Sequence, residues 1–244
     1  GPRISSRSVQ RVAVRARVRG PEAFRYALHS ARYMEFKAHT TIQGDVHVND
    51  DVEVRGRLEI VGDLSLTGRL DDRGRVEVTG DITEGAPPIP QPVPSVDWYR
   101  ERATKTLHGN QRIDGGEFDE DIIYVDGDEV VISGVFKGRA TIAARGLILL
   151  EGDLAYADAD SALTLLGFEK VEVAAASRVE GFLWSPSYVE IHGGNVYVYG
   201  GIVADRIETT GRLILDVDPR FYTFPPPGIE GTSLEVLGWA EETP

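Results

Sequence analysis

Five histidines (His29, His39, His47, His108 and His192) are the chain's only imidazoles, and no two of them are spaced as a metal-binding pair would be. There is no cysteine, which removes disulfides, thiolate metal sites and a cysteine nucleophile, and suits the cytoplasm and a cell surface equally. Asn49-Asp50-Asp51 opens like a calcium loop, but no glycine follows at the sixth place and no glutamate at the twelfth. The glycine-rich GNQRIDGG (109–116) has no lysine with which to hold a phosphate, and there is no Gly-x-Ser-x-Gly elbow. Hydrolysis of a sugar chain needs two carboxyl groups facing each other across a cleft. Asp158 and Asp160, in YADADSA, are the best candidates. Most other acids (Glu53, Glu59, Glu77, Glu172, Glu190 and Glu208) alternate with apolar residues, as on a solvated strand face. These residues give no catalytic set, no metal site and no cofactor site, and the chain reads as a non-enzyme.

The remaining chemistry is cationic. The first 20 residues hold six arginines and no acid, in a chain whose net charge is −13, so the rest is more acidic still. An acidic body repels phosphate backbones, and nucleic acid is left only a local basic edge. Arg11, Arg15, Arg17 and Arg19 supply one. They alternate with Val12, Val14, Ala16 and Val18, which predicts a half-buried strand. The four arginines are the candidate DNA contacts, with a plain solvated strand face as the alternative.

The elements around these residues are set by a count of six. In GRLEIVGDLSLTGRLDDRGRVEVT (56–79) a glycine stands at positions 56, 62, 68 and 74, then again at 80, with apolar residues two and four places after most of them. Six residues make a short strand with two inward side chains and a corner that tolerates positive φ. Repeating the unit predicts a β-solenoid, with three hexads, about 18 residues, to each turn of a triangular coil. Hairpins would need Asn-Gly or Asp-Gly at each reversal instead. His39 and His47 fall within this run, where they read as outward and solvated. Leu70-Asp71-Asp72 lacks its second apolar residue and reads as a bulged corner, with a site as the alternative.

Ala86 to Ser95, APPIPQPVPS, has five prolines and predicts a stiff extended connection. A short helix over 96–107, capped by Ser95 or Asp97, is expected next, with Trp98 and Tyr99 plugging an end or flank of the coil. A second run of apolar clusters, eight to ten residues apart and punctuated by glycine, predicts wider rungs. The last segment, TSLEVLGWAEETP, alternates like the first, so both termini read as strands able to pair with each other. Gly1-Pro2 carries no initiator methionine and resembles a protease-cleavage scar, so the chain reads as an excised soluble portion. No run is long and apolar enough to predict a membrane span.

The order of these segments resembles a family. FRYALHSARYMEFKAHTTIQGDVHVN (24–49), PIPQPVPSVDWYRERA (88–103) and GFLWSPSYVEIHGGNVYVYGGIVADRIETTGRLILDVDP (181–219) are similar to the opening, linker and final rungs of PilX-type pilus-assembly proteins. These are large minor-pilin-like proteins of type IV pilus systems, and some are competence pilins. The resemblance implies an all-β protein, a parallel β-helix with a short helix and flanking pilin-like strands. In its terms, 1–30 is the N-terminal strand and connecting turn of a pilin-like module and 31–85 the hexad solenoid. Residues 86–110 are the linker and helix, 111–220 further rungs, and 221–244 a strand pairing back to the N-terminal module. It further implies an exported head at a pilus tip, acting in assembly, adhesion or DNA uptake. Its partners would be other minor pilins, DNA or a surface ligand, and it would meet the membrane only through a hydrophobic N-terminal helix outside this sequence. A bactofilin-like self-assembling scaffold and a carbohydrate-active β-helix enzyme are the competing expectations.

Overall fold

The computed structural model describes residues 11–223, 225–229 and 233–242, with side chains for 20–223 and 225–229. Strand β1 (Arg11–Arg19) leads to a single 3-10 turn, Glu22–Arg25, and then to the coil. The hexads form β2 (Leu28–Ser30), β3 (Met34–Phe36), β4 (Thr40–Gln43), β5 (Val46–Val48), β6 (Val52–Val54) and β7 (Arg57–Val61), followed by β8 (Leu64–Leu66), β9 (Leu70–Asp72), β10 (Arg75–Val78) and β11 (Ile82–Glu84). Every third strand stacks in parallel: Leu28 on Val46 on Leu64 on Ile82, Met34 on Val52 on Leu70, and Thr40 on Leu58 on Val76. Stacked corners are bonded across 18 residues, as from the Asp63 amide to the Asp45 carboxylate. The turn is therefore three hexads, and the section is triangular.

The corner glycines are there for closeness more than for backbone freedom. A Cβ built on Gly56 would lie 2.4 Å from the Ala38 carbonyl oxygen, and one on Gly74 would lie 2.0 Å from that of Gly56. Gly44 and Gly62 also take positive φ, at 133° and 153°. Leu70–Asp72 is not bulged, contrary to the expectation. It pairs in register with Val52–Val54, and Asp72 occupies the inward position of Val54 in the last turn of the stack, where that position is open to solvent.

After β11 the chain runs extended through its prolines into α1 (Val96–Arg102), which Ser95 caps by accepting the Trp98 amide. The helix is shorter than the sequence suggested, because residues 105–108 are claimed by parallel pairing as β12 (Lys105–His108). The wider rungs are β13 (Gln111–Asp126), β14 (Glu129–Ala144), β15 (Leu147–Tyr156), β16 (Ala162–Gly167), β17 (Lys170–Val173), β18 (Arg178–Ile191), β19 (Asn195–Thr209) and β20 (Arg212–Val217). A one-turn helix α2 (Arg220–Thr223) and strand β21 (Ser233–Glu242) complete the chain.

The two runs of rungs join out of chain order. Ile202 pairs with Leu28, Glu208 with Glu35 and Leu213 with Thr40, so the last turn of the second run lies on the first turn of the hexads. One apolar core of Val, Leu and Ile runs through both. The chain thus enters mid-stack, winds to one end, returns along the flank through the proline strap and α1, and winds back to the middle. Strands β1 and β21 pair antiparallel as a separate ribbon, and the Gly20 amide, donating to the Tyr222 carbonyl at 2.8 Å, ties the two exits together.

Candidate functional surfaces

Parallel stacking converts a sequence alternation into straight rows, one residue per turn, about 4.8 Å apart. Glu172, Glu190, Glu208, Glu35, Glu53 and Asp71 form such a row. Six carboxylates this close repel unless cations divide them. Lys170 bridges Glu172 and Glu190, and Lys37 bridges Glu208 at 2.6 Å and Glu35 at 3.2 Å. Arg55 bridges Glu35 at 2.9 Å and Glu53 at 2.8 Å, and Arg73 reaches Asp71 at 2.7 Å and Glu53 at 3.5 Å. Tyr33 donates its hydroxyl to Glu53 at 2.5 Å and Tyr188 donates to Glu208 at 2.7 Å. The Arg55 bond, then that of Tyr33, holds the Glu53 carboxyl down to about 2, and the Lys37 ammonium lowers Glu208. Burial, then the bond to Glu53, pushes Tyr33 up to about 12.

One corner of the prism bounds this row and is itself cationic. Arg55-Gly56-Arg57 and Arg73-Gly74-Arg75 stack there, extended on one side by Lys37 and His39 and, one turn further out, by Arg212. On the far side of the corner Arg57 pairs with Glu59 at 2.5 Å and with Glu77 at 3.3 Å, and Arg75 pairs with Glu77 at 2.6 Å. The carboxylates lie low and the guanidinium groups high: Glu35 and Glu53 are 16% and 11% exposed, against 64% and 67% for Arg73 and Arg75. On the row's side of that corner the outermost charges are therefore positive, whereas on the far side Glu77, 45% exposed, stands level with Arg57 at 40%. The Arg-Gly-Arg repeat, recurring at the turn length, was the corner's signal in the sequence. Another corner is acidic: the Asp45 carboxylate accepts the Asp63 amide and the Asp63 carboxylate accepts the Asp81 amide, each from the next turn.

The third face is covered. Tyr124, Ala143, Leu166, Trp184, Val203, His29, His47 and Ser65 form an outward row. The strap, α1 and the 3-10 turn lie over it, and Phe24, Tyr99, Phe182 and Phe221 complete a second apolar cluster outside the coil. Phe24 meets Phe182 and Trp184 edge-on at 4.7 and 5.3 Å, and the Tyr99 hydroxyl donates to the Pro227 carbonyl at 2.5 Å. Tyr99 flanks the coil as the sequence suggested. His47 does not fit its expected solvated role: it faces outward but is 1% exposed, beside His29 at 0%, because the strap passes over both. His39 remains half-exposed, 3.3 Å from Glu59.

The other candidates resolve as follows. Arg11, Arg15, Arg17 and Arg19 lie on β1, where only the backbone is described. Its register sets Glu242 opposite Arg11 and Glu235 opposite Arg17, while Arg15 faces Gly238 and Arg19 faces Ser233. Asp158 accepts from the Ser161 hydroxyl at 2.6 Å and from the Asp160 amide at 3.2 Å, so it closes its own turn. Register brings His192 to the Glu172 and Glu190 carboxylates, with the three groups' ligand atoms within 4.8 Å, a meeting that sequence spacing concealed. The Lys170 ammonium already stands on both of those carboxylates. Among the described residues no helix is long and apolar enough to cross a membrane.

No protein-family model matches the chain, and no curated protein sequence does. The resemblance to PilX-type proteins thus has no family model behind it. Solved structures do match. The crystal structure of the competence-associated pilin ComZ from Thermus thermophilus aligns over 96% of this chain and 78% of its own, with a TM-score of 0.50 and 10% identity. An ice-binding protein from the Antarctic ascomycete Antarctomyces psychrotrophicus aligns over 80% of this chain and 96% of its own, with a TM-score of 0.47 and 11% identity. At such identity the likeness to the competence pilin is one of fold: a β-solenoid over nearly the whole of this chain.

Proposed function

We propose that this chain is the non-enzymatic head of a pilin-like protein of a type IV pilus system, exported to the cell surface and working by contact with other minor pilins or pilus components. The observation that carries the reading is the ribbon. The whole solenoid is inserted between β1 and β21, which pair with each other and leave the coil at one place, within a fold shared with a competence pilin. A rigid coil of this width fits a pilus tip better than a shaft. Deleting the gene in its native organism should remove or shorten surface pili, with recovery on complementation. Unchanged piliation and unchanged transformation would overturn the reading.

A second reading, contact with DNA, is favoured by the Arg-Gly-Arg corner together with Arg15 and Arg19 of the ribbon. Cations stepped along an edge suit a phosphate backbone, and such binding weakens steeply with salt. Anisotropy titrations with a DNA duplex at low and moderate salt test it. Replacing Arg55, Arg57, Arg73 and Arg75 by Gln should weaken binding, and replacing Arg11, Arg15, Arg17 and Arg19 reports the ribbon's share. Binding that ignores salt, or survives both sets, would remove DNA from the proposal.

A further inference from the structure

We propose that the proline strap is an acid-released latch, held shut by the buried His29–His47 pair in its uncharged form. The two imidazoles stack on successive turns, with centroids 5.6 Å apart and planes 12° from parallel, directly beneath the strap. Two side chains hold the strap at a single residue, Ile89, through three hydrogen bonds. His29 donates from Nε2 to the Ile89 carbonyl at 3.3 Å, and Asn49 donates from Nδ2 to the same oxygen at 2.6 Å. The Asn49 Oδ1 accepts the Ile89 amide at 2.8 Å. His47 holds Asn49 in turn, its Nε2 lying 2.8 Å from that same Oδ1, while Ser65 lies 2.7 Å from its Nδ1.

This network fixes the tautomers. Both rings carry their proton on Nε2 and leave Nδ1 bare. On His47 the bare nitrogen accepts from Ser65. On His29 it is buried and has no partner. A second proton on His29 would thus be a buried N–H with only its own residue's backbone to turn to, 5.6 Å from a ring that would titrate with it. Only backbone carbonyls and the Asn49 side chain favour the charged forms, and burial outweighs them. The groups packed around the pair are Tyr26 from the segment after the 3-10 turn, Asn49, Ser65 and the Ile89 backbone. The charged neighbours Glu22, Arg25 and Asp45 act on Tyr26, and no carboxylate is among the groups acting on either imidazole.

Burial first, then the neighbouring His47, lowers His29 to about 4, and burial lowers His47. Both groups therefore bind protons more readily with the strap undocked. Docking is fully favoured above the ordinary histidine value of about 6.5, and loses ground as pH falls from there towards about 4. His47 charges more cheaply, because Ser65 can turn its hydroxyl towards the Val46 carbonyl, 3.3 Å away, and accept the new proton. Release frees residues 87–90, between the Ala86 amide on the Leu66 carbonyl and the Gln91 side chain on the Ser185 carbonyl, and bares the polar end of the covered row.

Hydrogen exchange of the whole chain, corrected for the intrinsic pH dependence, tests this. At pH 7.5 the Ile89 amide should be protected. By pH 4.5 the protection of peptides covering 85–95 should fall by about tenfold or more, while the rungs at 46–66 keep theirs. The double variant His29→Phe, His47→Gln keeps a ring at position 29 and a donor to Asn49 but cannot titrate, so its strap should exchange alike at both values. Equal wild-type protection at both pH values, or a pH response that persists in the variant, would overturn the latch. Should that variant not fold, Asn49→Ala should exchange at pH 7.5 as the wild type does at pH 4.5, and full protection there would refute the clamp. An NMR titration of the two imidazoles gives an independent reading. Strap release must track it, and titration of both rings with the strap still protected would also refute the proposal.

Discussion

Single residues here act through the turns above and below them. Glu53 shows it best: its carboxylate receives Arg55 from its own turn and Tyr33 from the turn before, with Arg73 following from the next. A carboxyl held at about 2 contributes stability that is complete above the ordinary glutamate range and is lost as pH falls through its own value. Glu53→Gln should therefore melt below the wild type at pH 7, with the gap closing between about pH 4 and pH 2 in a calorimetric series. A gap that stays constant would mean that the row's ion pairs do not matter. Glycines divide in the same way. Gly56→Ala forces a methyl to 2.4 Å from a backbone oxygen that cannot swing aside, and should cost about 1–3 kcal/mol. Gly194→Ala meets nothing within 4 Å and takes no positive φ. It should be neutral or stabilise by up to about 1 kcal/mol, as denaturant midpoints would report.

At the scale of elements, the open end of the coil explains the hexad that departs from the pattern. The last turn, β9 to β11, offers unpaired strand edges of the kind that join copies together. It carries Asp72 at an inward position and Glu84 in β11, and Glu84 folds over to accept the Leu70 amide at 2.7 Å. Ile82, 47% exposed, is the apolar group left beside them. Charges turned inward at an edge oppose stacking, so Asp72→Val with Glu84→Leu should make the protein self-associate. Sedimentation velocity should show dimers or longer species with the double substitution and none with Asp72→Asn. A monomeric double variant would mean that the strand edges are protected by something else.

The whole molecule is one stack threaded out of order, and this should govern how it melts. The first hexad turn has no neighbour on one side until β19 and β20 exist, so neither run has a complete core alone. Val52→Ala and Leu165→Ala, one in each run and both fully buried, should lower the same single calorimetric transition. Losses of roughly 1–2 kcal/mol and 2–5 kcal/mol are expected, respectively. Two transitions moved separately would show that the runs fold as independent units.

The count of six in residues 56–80 was enough to give strand length, the choice of inward residues and a triangular turn, because these depend on alternation and corners within a few residues. The prolines of 86–95 likewise announced an extended segment, since five fixed φ angles leave little else. Tertiary structure alone decided which turn lies on which. Glu208 meets Glu35, and Ser30 reaches Asp205 across 175 residues, through parallel pairings that local periodicity does not encode. That stacking makes a row of separate glutamates and lysines into an ion-pair ladder, gathers Arg-Gly-Arg repeats on one corner, and carries the strap across His29 and His47. An outward position in the sequence is therefore not yet a solvated one: burial of an outward side chain depends on what long-range stacking lays over it.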